Sequence, residues 1–210
     1  MHIPDGFLSI PVSASAWGIT TVYALFAHRK MKEMVVKSME SIPLIACTAS
    51  FIFAAQMLNF PVLGGTSGHF LGATLATILF GPFIAFLVLS IVLAIQCLFF
   101  ADGGLLALGA NIIIMGVVAP LVASVVLNGL KTIISERWSV LVASWASVVC
   151  ASLACSLLLS LSGTIAFAIV TPAMLLVHAL IGIGEALITA AAVFYLQKTA
   201  VWEELKGVEA

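Results

Sequence analysis

Apolar positions along the chain fall into seven runs, at residues 10–27, 42–59, 66–80, 82–100, 106–128, 139–162 and 172–197. A membrane-spanning helix needs about 20 apolar residues. The pattern therefore predicts an all-α polytopic membrane protein with seven transmembrane helices. The third run is the shortest and is parted from the fourth by Gly81-Pro82. Residues 66–100 could instead form one long kinked span. A separate helix of that length would reach only about 22 Å and would have to be tilted or embedded among the others.

Charge separates the two options, because loops on the cytoplasmic side attract Lys and Arg. Arg29, Lys30, Lys32 and Lys37 follow the first run, Lys131 and Arg137 precede the sixth, and Lys198 and Lys206 follow the seventh. Seven spans with the N-terminus outside and the C-terminus inside put all eight basic residues on the cytoplasmic side. Six spans would divide them. The outer segments 1–9, 60–69, 100–106 and 162–171 then carry no Lys or Arg, yet they hold His2, Asp5, His69 and Asp102.

Composition agrees with lipid as the main solvent, since 63% of the 210 residues are hydrophobic and 8% charged, whereas a soluble domain carries roughly 25% charged residues. One transmembrane domain, 1–210, is expected, with no separate soluble domain. A net charge of −1 argues against nucleic-acid binding. Cys47, Cys97, Cys150 and Cys155 lie inside apolar runs without a CxxC pair and read as small buried hydrophobes rather than a disulfide or thiolate site. Met-His-Ile-Pro-Asp-Gly has no basic residue before the first run, unlike a signal peptide, so Met1 is expected to persist.

A free amine on Met1 followed by His2 has a specific consequence. The α-amine, the His2 peptide nitrogen and His2 Nδ1 can close adjoining five- and six-membered chelate rings on one ion. A fourth donor completes a square plane, the geometry suited to Ni(II) or Cu(II). His69 is the natural candidate. It closes Asn59-Phe-Pro-Val-Leu-Gly-Gly-Thr-Ser-Gly-His69, where Gly64, Gly65 and Gly68 permit tight turns. A lone histidine near a helix start is otherwise unremarkable. Asp5, Gln56, Asn59, Thr66, Ser67, Gln96, Asp102 and Asn111 fall at or near the same level and could orient the imidazoles. Helix capping and interhelical hydrogen bonding are equally good readings for each taken singly. Asp102-Gly103-Gly104 could be a capped turn.

Within the predicted spans, His178 and Glu185 stand seven apart on one face with Gly182 between them. They read as a structural hydrogen-bonded pair or as a proton relay. His28 joins the basic cluster and reads as solvated. Ala46, Ser50 and Ala54 form a small-residue row suited to close helix approach, either inside the bundle or against a partner membrane subunit.

The segments Met1-His2-Ile3-Pro4-Asp5-Gly6-Phe7-Leu8, Ala55–Val62, Gly64-Gly65-Thr66-Ser67-Gly68-His69, Phe100–Leu105, Ala107–Asn111 and His178–Glu185 resemble the CbiM/NikM family. These are the substrate-capture membrane subunits of energy-coupling-factor nickel and cobalt importers. The resemblance implies one metal-capture domain of seven helices, with a chelating segment at 1–9, an additional first helix at 10–27 and a six-helix core at 42–197, and with Met1 amine, His2 amide and imidazole, and His69 imidazole as ligands. It also implies a coupling transmembrane subunit, cytoplasmic ATPase subunits and a small membrane accessory subunit in a prokaryotic cell membrane. Many members begin Met-His-Ile-Met-Glu-Gly, and Pro4-Asp5 departs from that. Nickel(II) is expected as the transported ion from the square plane, with cobalt(II) feeding cobalamin synthesis as the alternative and no organic cofactor. The chain has no GxxxxGK[ST] loop, so ATP hydrolysis would belong to a partner. The lack of HExxH, GxSxG or paired carboxylates disfavours an enzyme. A stand-alone proton-coupled metal transporter is the remaining alternative.

Overall fold

A computed structural model describes residues 1–35, 42–62, 66–200 and 202. The described residues form six helices: α1 (Ile10–Val35), α2 (Ile42–Gln56), α3 (Ala73–Phe100), α4 (Leu108–Leu130), α5 (Glu136–Leu161) and α6 (Phe167–Leu196). A short antiparallel hairpin, β1 (Phe60–Val62) and β2 (Thr66–Gly68), pairs Pro61 with Ser67. All helices but α2 are long and apolar enough to cross a membrane. Gly64, Gly65, Lys37 and Lys206 lie outside the described residues.

Burial is inverted relative to a soluble protein, as lipid demands. On α6, His178, Gly182, Glu185 and Thr189 are buried, while Leu176, Leu180, Ile183 and Leu187 face outward. On α5 the buried stripe includes Ser144, Ser147, Ser152 and Ser156. Hydrocarbon offers no hydrogen bonds, and the serine hydroxyls donate to backbone carbonyls instead, Ser144 to Val140 at 2.8 Å, Ser147 to Ala119 at 3.0 Å and Ser156 to Ser152 at 2.9 Å. α5 and α6 pair along their lengths, α4 packs on α3 and α5, and α1 lies against α4. The α1–α4 approach is close: Thr20 Oγ1 donates to the Gly109 carbonyl at 2.8 Å, and a Cβ on Gly109 would meet the Trp17 backbone at 2.9 Å.

Seven helices were expected, and the difference lies at residues 66–100. The expected helix 66–80 is strand β2, an irregular stretch at 69–72, and helix only from Ala73. Gly72, at φ 76 in the left-handed region, breaks the helix, and a Cβ there would meet Ile52 at 2.5 Å. α3 is then bent at Gly81 (φ 77, ψ 167), just before Pro82, whose missing N–H cannot join a helical ladder. His69 precedes α3 and Gln96 lies near its far end, yet both touch His2. In a straight helix, residues 73 and 96 would stand about 35 Å apart. The chain therefore doubles back at Gly81, and the arm 73–80 is almost wholly buried.

Other boundaries shift modestly. α1 runs on to Val35, α2 stops at Gln56, and α6 begins five residues early, with Pro172 inside it. The row Ala46, Ser50 and Ala54 is exposed, and α2 buries Thr48, Ile52 and Gln56 instead. Internal bundle packing is therefore not what that row does.

The connections sort by end. At one end, Thr164 Oγ1 donates to the Phe7 carbonyl, Asn59 Nδ2 to Asp102 Oδ2 at 2.9 Å, and Gly104 N to the Ile3 carbonyl at 2.9 Å. Segments 1–9, 57–62, 66–72, 101–107 and 162–166 therefore share this end. At the other end, Gln197 Nε2 donates to Glu136 Oε1 at 2.7 Å, and Arg137 sits over the Phe194 ring. His28 is exposed near the far end of α1.

Candidate metal centre

Residues 1–3 are inserted among the loops of the first end, and Met1, His2 and Ile3 are all buried. The insertion is fixed by main-chain grips. Asn111 accepts from Ile3 N at 2.9 Å through Oδ1 and donates to Ile3 O at 3.1 Å through Nδ2, holding that residue as a strand partner would. Asp5 accepts from the backbone N–H groups of Leu105, Leu106 and Ala107 at 3.0, 2.8 and 3.2 Å, the free donors that open α4. A Cβ on Gly104 would overlap Asp5, and one on Gly103 (φ 91) would crowd Asn111 and His2. The Asp102-Gly103-Gly104 turn is thus shaped to the N-terminal segment.

The grips bring four nitrogens together. The Met1 amine lies 2.6 Å from His69 Nε2, donates to the Ser67 carbonyl and stands 3.2 Å from Ser67 Oγ. His2 N donates to Ser67 Oγ at 3.2 Å. The two imidazoles face each other with centroids 4.5 Å apart and planes 28° apart. His69 Nδ1 lies 2.7 Å from the Phe70 carbonyl, so its proton resides on Nδ1 and Nε2 presents a lone pair to the amine. His2 Nε2 lies 3.1 Å from Gln96 Oε1, which puts the His2 proton on Nε2 and leaves Nδ1 free. That nitrogen stands 3.3 Å from Asp102 Oδ1 and 3.5 Å from Ser67 Oγ. In these tautomers His69 Nε2 and His2 Nδ1 both carry free lone pairs.

Burial also strips protons from the cluster. It lowers the Met1 ammonium from 8.0 to about 5 and His2 to about 3, the latter helped by the neighbouring amine. His69 is held well below its ordinary range for the same two reasons. Burial raises the Asp102 carboxyl above its ordinary range, against the pull of the amine and of Asn59.

The eight residues expected around the site divide by contact. Ser67, Gln96, Asp102 and Asn111 touch residues 1–3 directly. Asn59 acts through Asp102, and Asp5 holds the segment in place. Gln56 Nε2 donates to the Leu71 carbonyl at 2.8 Å, so it supports the loop carrying His69. The Thr66 hydroxyl lies 3.4 Å from the Ser67 carbonyl and is hydrogen-bonded with Cys155. Glu185 does more than the sequence suggests: its carboxylate accepts from Leu71 N at 2.6 Å and Gly72 N at 2.8 Å. His178 Nδ1 is bonded to the Met174 carbonyl at 2.8 Å, and no hydrogen bond joins His178 to Glu185. Cys155, beside the Met1 amine and Thr66, lies closer to the site than its apolar run indicated.

A family model described as the cobalt uptake substrate-specific transmembrane region, CbiM, matches residues 2–201. The chain belongs to the CbiM family. It is 34% identical over 220 residues to the fused nickel transport protein NikMN of Rhodobacter capsulatus, covering 95% of this chain and 62% of that one. It is 40% identical over 132 residues to the cobalt transport protein CbiM of Roseiflexus, covering 62% of this chain and 53% of that one. The chain thus spans less than two thirds of the length of fused NikMN relatives, 65% in Archaeoglobus fulgidus. A crystal structure of a truncated transition metal transporter superposes with a TM-score of 0.89 at 31% identity, covering 94% of this chain and 99% of that chain. CbiM proteins are metal transport components rather than enzymes, and the long apolar helices make this member a multi-pass membrane protein.

Proposed function

We propose that the chain captures nickel(II) outside a prokaryotic cell membrane through the Met1 amine, the His2 amide nitrogen and Nδ1, and His69 Nε2. It would then pass the ion inward as the substrate-binding subunit of an energy-coupling-factor importer. The observation that carries this is the 2.6 Å approach of the Met1 amine to His69 Nε2. Two nitrogens held cis on one ion by bonds of about 2.0 Å lie about 2.8 Å apart, and their imidazole centroids about 4.5 Å. The His2–His69 separation of 4.5 Å matches that second figure.

Seven crossings with the N-terminus outside and the C-terminus inside belong to this reading. The third crossing is composite: strand β2 and the irregular stretch 69–72 lead into the buried helical arm 73–80, which ends at the bend at Gly81. Irregular backbone at that depth is tolerated where protein encloses it, and it is how transporters build midplane sites. The outward row Ala46, Ser50 and Ala54 is the face offered to a coupling transmembrane subunit. Cytoplasmic ATPases and a small accessory membrane subunit complete the assembly.

Nickel is preferred to cobalt because a square plane of four nitrogens, one an ionised amide, suits a d8 ion. Purified protein loaded with Ni(II) is expected to be yellow and diamagnetic, with one ion per chain. A green paramagnetic complex, or preferential loading with Co(II) from an equal mixture, would count against nickel.

The depressed basicity of the site sets its pH response. Above about pH 5 the amine and both imidazoles are already unprotonated, so binding displaces one proton, that of the His2 amide. Affinity is expected to rise about tenfold per pH unit between 5 and 8 and more steeply below 5, where the amine must also lose a proton. Competition titrations with a chelator of known pH dependence measure both slopes.

A further inference from the structure

The proposed ligand set has a charge that its nitrogens leave unbalanced. A dication bound by a neutral amine, two neutral imidazoles and one ionised amide carries a net charge of +1. Met1, His2 and His69 are each no more than 3% exposed, and an isolated charge in such surroundings is costly unless it is paired. Asp102 is placed to supply the partner. Its Oδ1 lies 3.3 Å from His2 Nδ1, which carries no proton when Nε2 donates to Gln96. Two acceptors therefore face each other, an arrangement satisfied by a cation bound at the imidazole nitrogen. Asp102 Oδ2 is anchored by Asn59 Nδ2 at 2.9 Å, which aims the carboxylate inward, while the side chain remains 15% exposed toward the outer end. The other described acids at this end are committed to backbone donors: Asp5 to those of Leu105, Leu106 and Ala107, and Glu185 to those of Leu71 and Gly72.

Resting on the capture reading above, we propose that Asp102 is the charge-balancing partner of the bound ion. It stands beside the four nitrogens without ligating, and it makes the loaded site neutral only for a dication that has displaced one amide proton. A trivalent ion, or a dication bound without amide ionisation, would leave a surplus positive charge.

The test compares Ni(II) binding by the full chain in detergent with Asp102→Asn, which keeps the shape and an oxygen for Asn59, and with Asp102→Glu, which restores the charge. The expected result for Asp102→Asn is a nickel affinity lower by roughly ten- to a hundredfold. The yellow ligand-field band should be unchanged, and so should the melting temperature of the metal-free protein. Asp102→Glu should recover most of the loss. Should Asp102→Asn fail to fold, Asp102→Ser replaces it, with the same expectation and the same recovery by Glu. Unaltered affinity in the neutral variant would overturn the charge role and leave the four-nitrogen site standing. A shifted band would also overturn it, by showing Asp102 to be a ligand. Absence of the band from the unsubstituted protein would bring down the capture reading and this proposal with it.

Discussion

A protein carrying Gly-Ser ahead of Met1 is expected to lose nickel affinity by at least about a hundredfold, on the order of 3 kcal/mol, while remaining folded. The extension converts the Met1 amine into a peptide nitrogen and removes the five-membered chelate ring. It also collides with the enclosure, since the amine is packed against the Ser67 carbonyl, Ser67 Oγ and His69 Nε2. N-terminal acetylation should act in the same way. His2→Ala and His69→Ala should match it, each deleting at least one nitrogen, whereas His28→Ala at the opposite end should not. The measurement is calorimetric or chelator-competition titration of Ni(II), with thermal melts in detergent to establish folding. Full-affinity binding by the extended protein would remove the N-terminal chelate from consideration.

The second large effect is expected from Glu185→Ala. Its carboxylate, buried on α6, satisfies two consecutive backbone N–H groups in the stretch that separates His69 from α3. Truncation strands both donors where water is scarce, at roughly 1–3 kcal/mol each. The melting temperature should fall markedly, and nickel affinity with it, because His69 lies two residues before Leu71. Glu185→Gln keeps an acceptor for one donor but turns an N–H₂ toward the other, so its loss should be intermediate. A proton relay through His178 and Glu185 predicts something different: intact binding and stability with proton-dependent uptake abolished. Melts and titrations on both variants, with uptake into liposomes under an imposed pH gradient, separate the two roles.

Much of this was visible from residue order alone. The runs of apolar residues located every long helix, because lipid demands spans of a fixed length whatever their neighbours. The distribution of Lys and Arg placed His2 and His69 at one end. The third run was legible as an apolar segment but not as strand, loop and short helical arm. Hydropathy records how apolar a segment is, and the break at 69–72 depends on Gln56 and Glu185, partners distant in the chain. The row Ala46, Ser50 and Ala54 illustrates a related limit: small residues announce close approach without saying to what, and only the burial of Thr48, Ile52 and Gln56 decides which face of α2 looks inward. Glu185 was conspicuous as an intramembrane carboxylate, yet its backbone partners carry no side-chain signature. Cys155 gave no signal, since a cysteine inside an apolar run looks the same whether or not an amine stands beside it.

The threading of residues 1–3 also dictates an order of assembly. Their partners are Ser67, His69, Gln96, Gly104 and Asn111, all of them synthesised later. The set of grips on this segment is complete only once the fourth helix, with Asn111 near its start, has been inserted. Residues 1–3 thus gain their last main-chain partner, Asn111, only when more than half of the 210 residues have been joined.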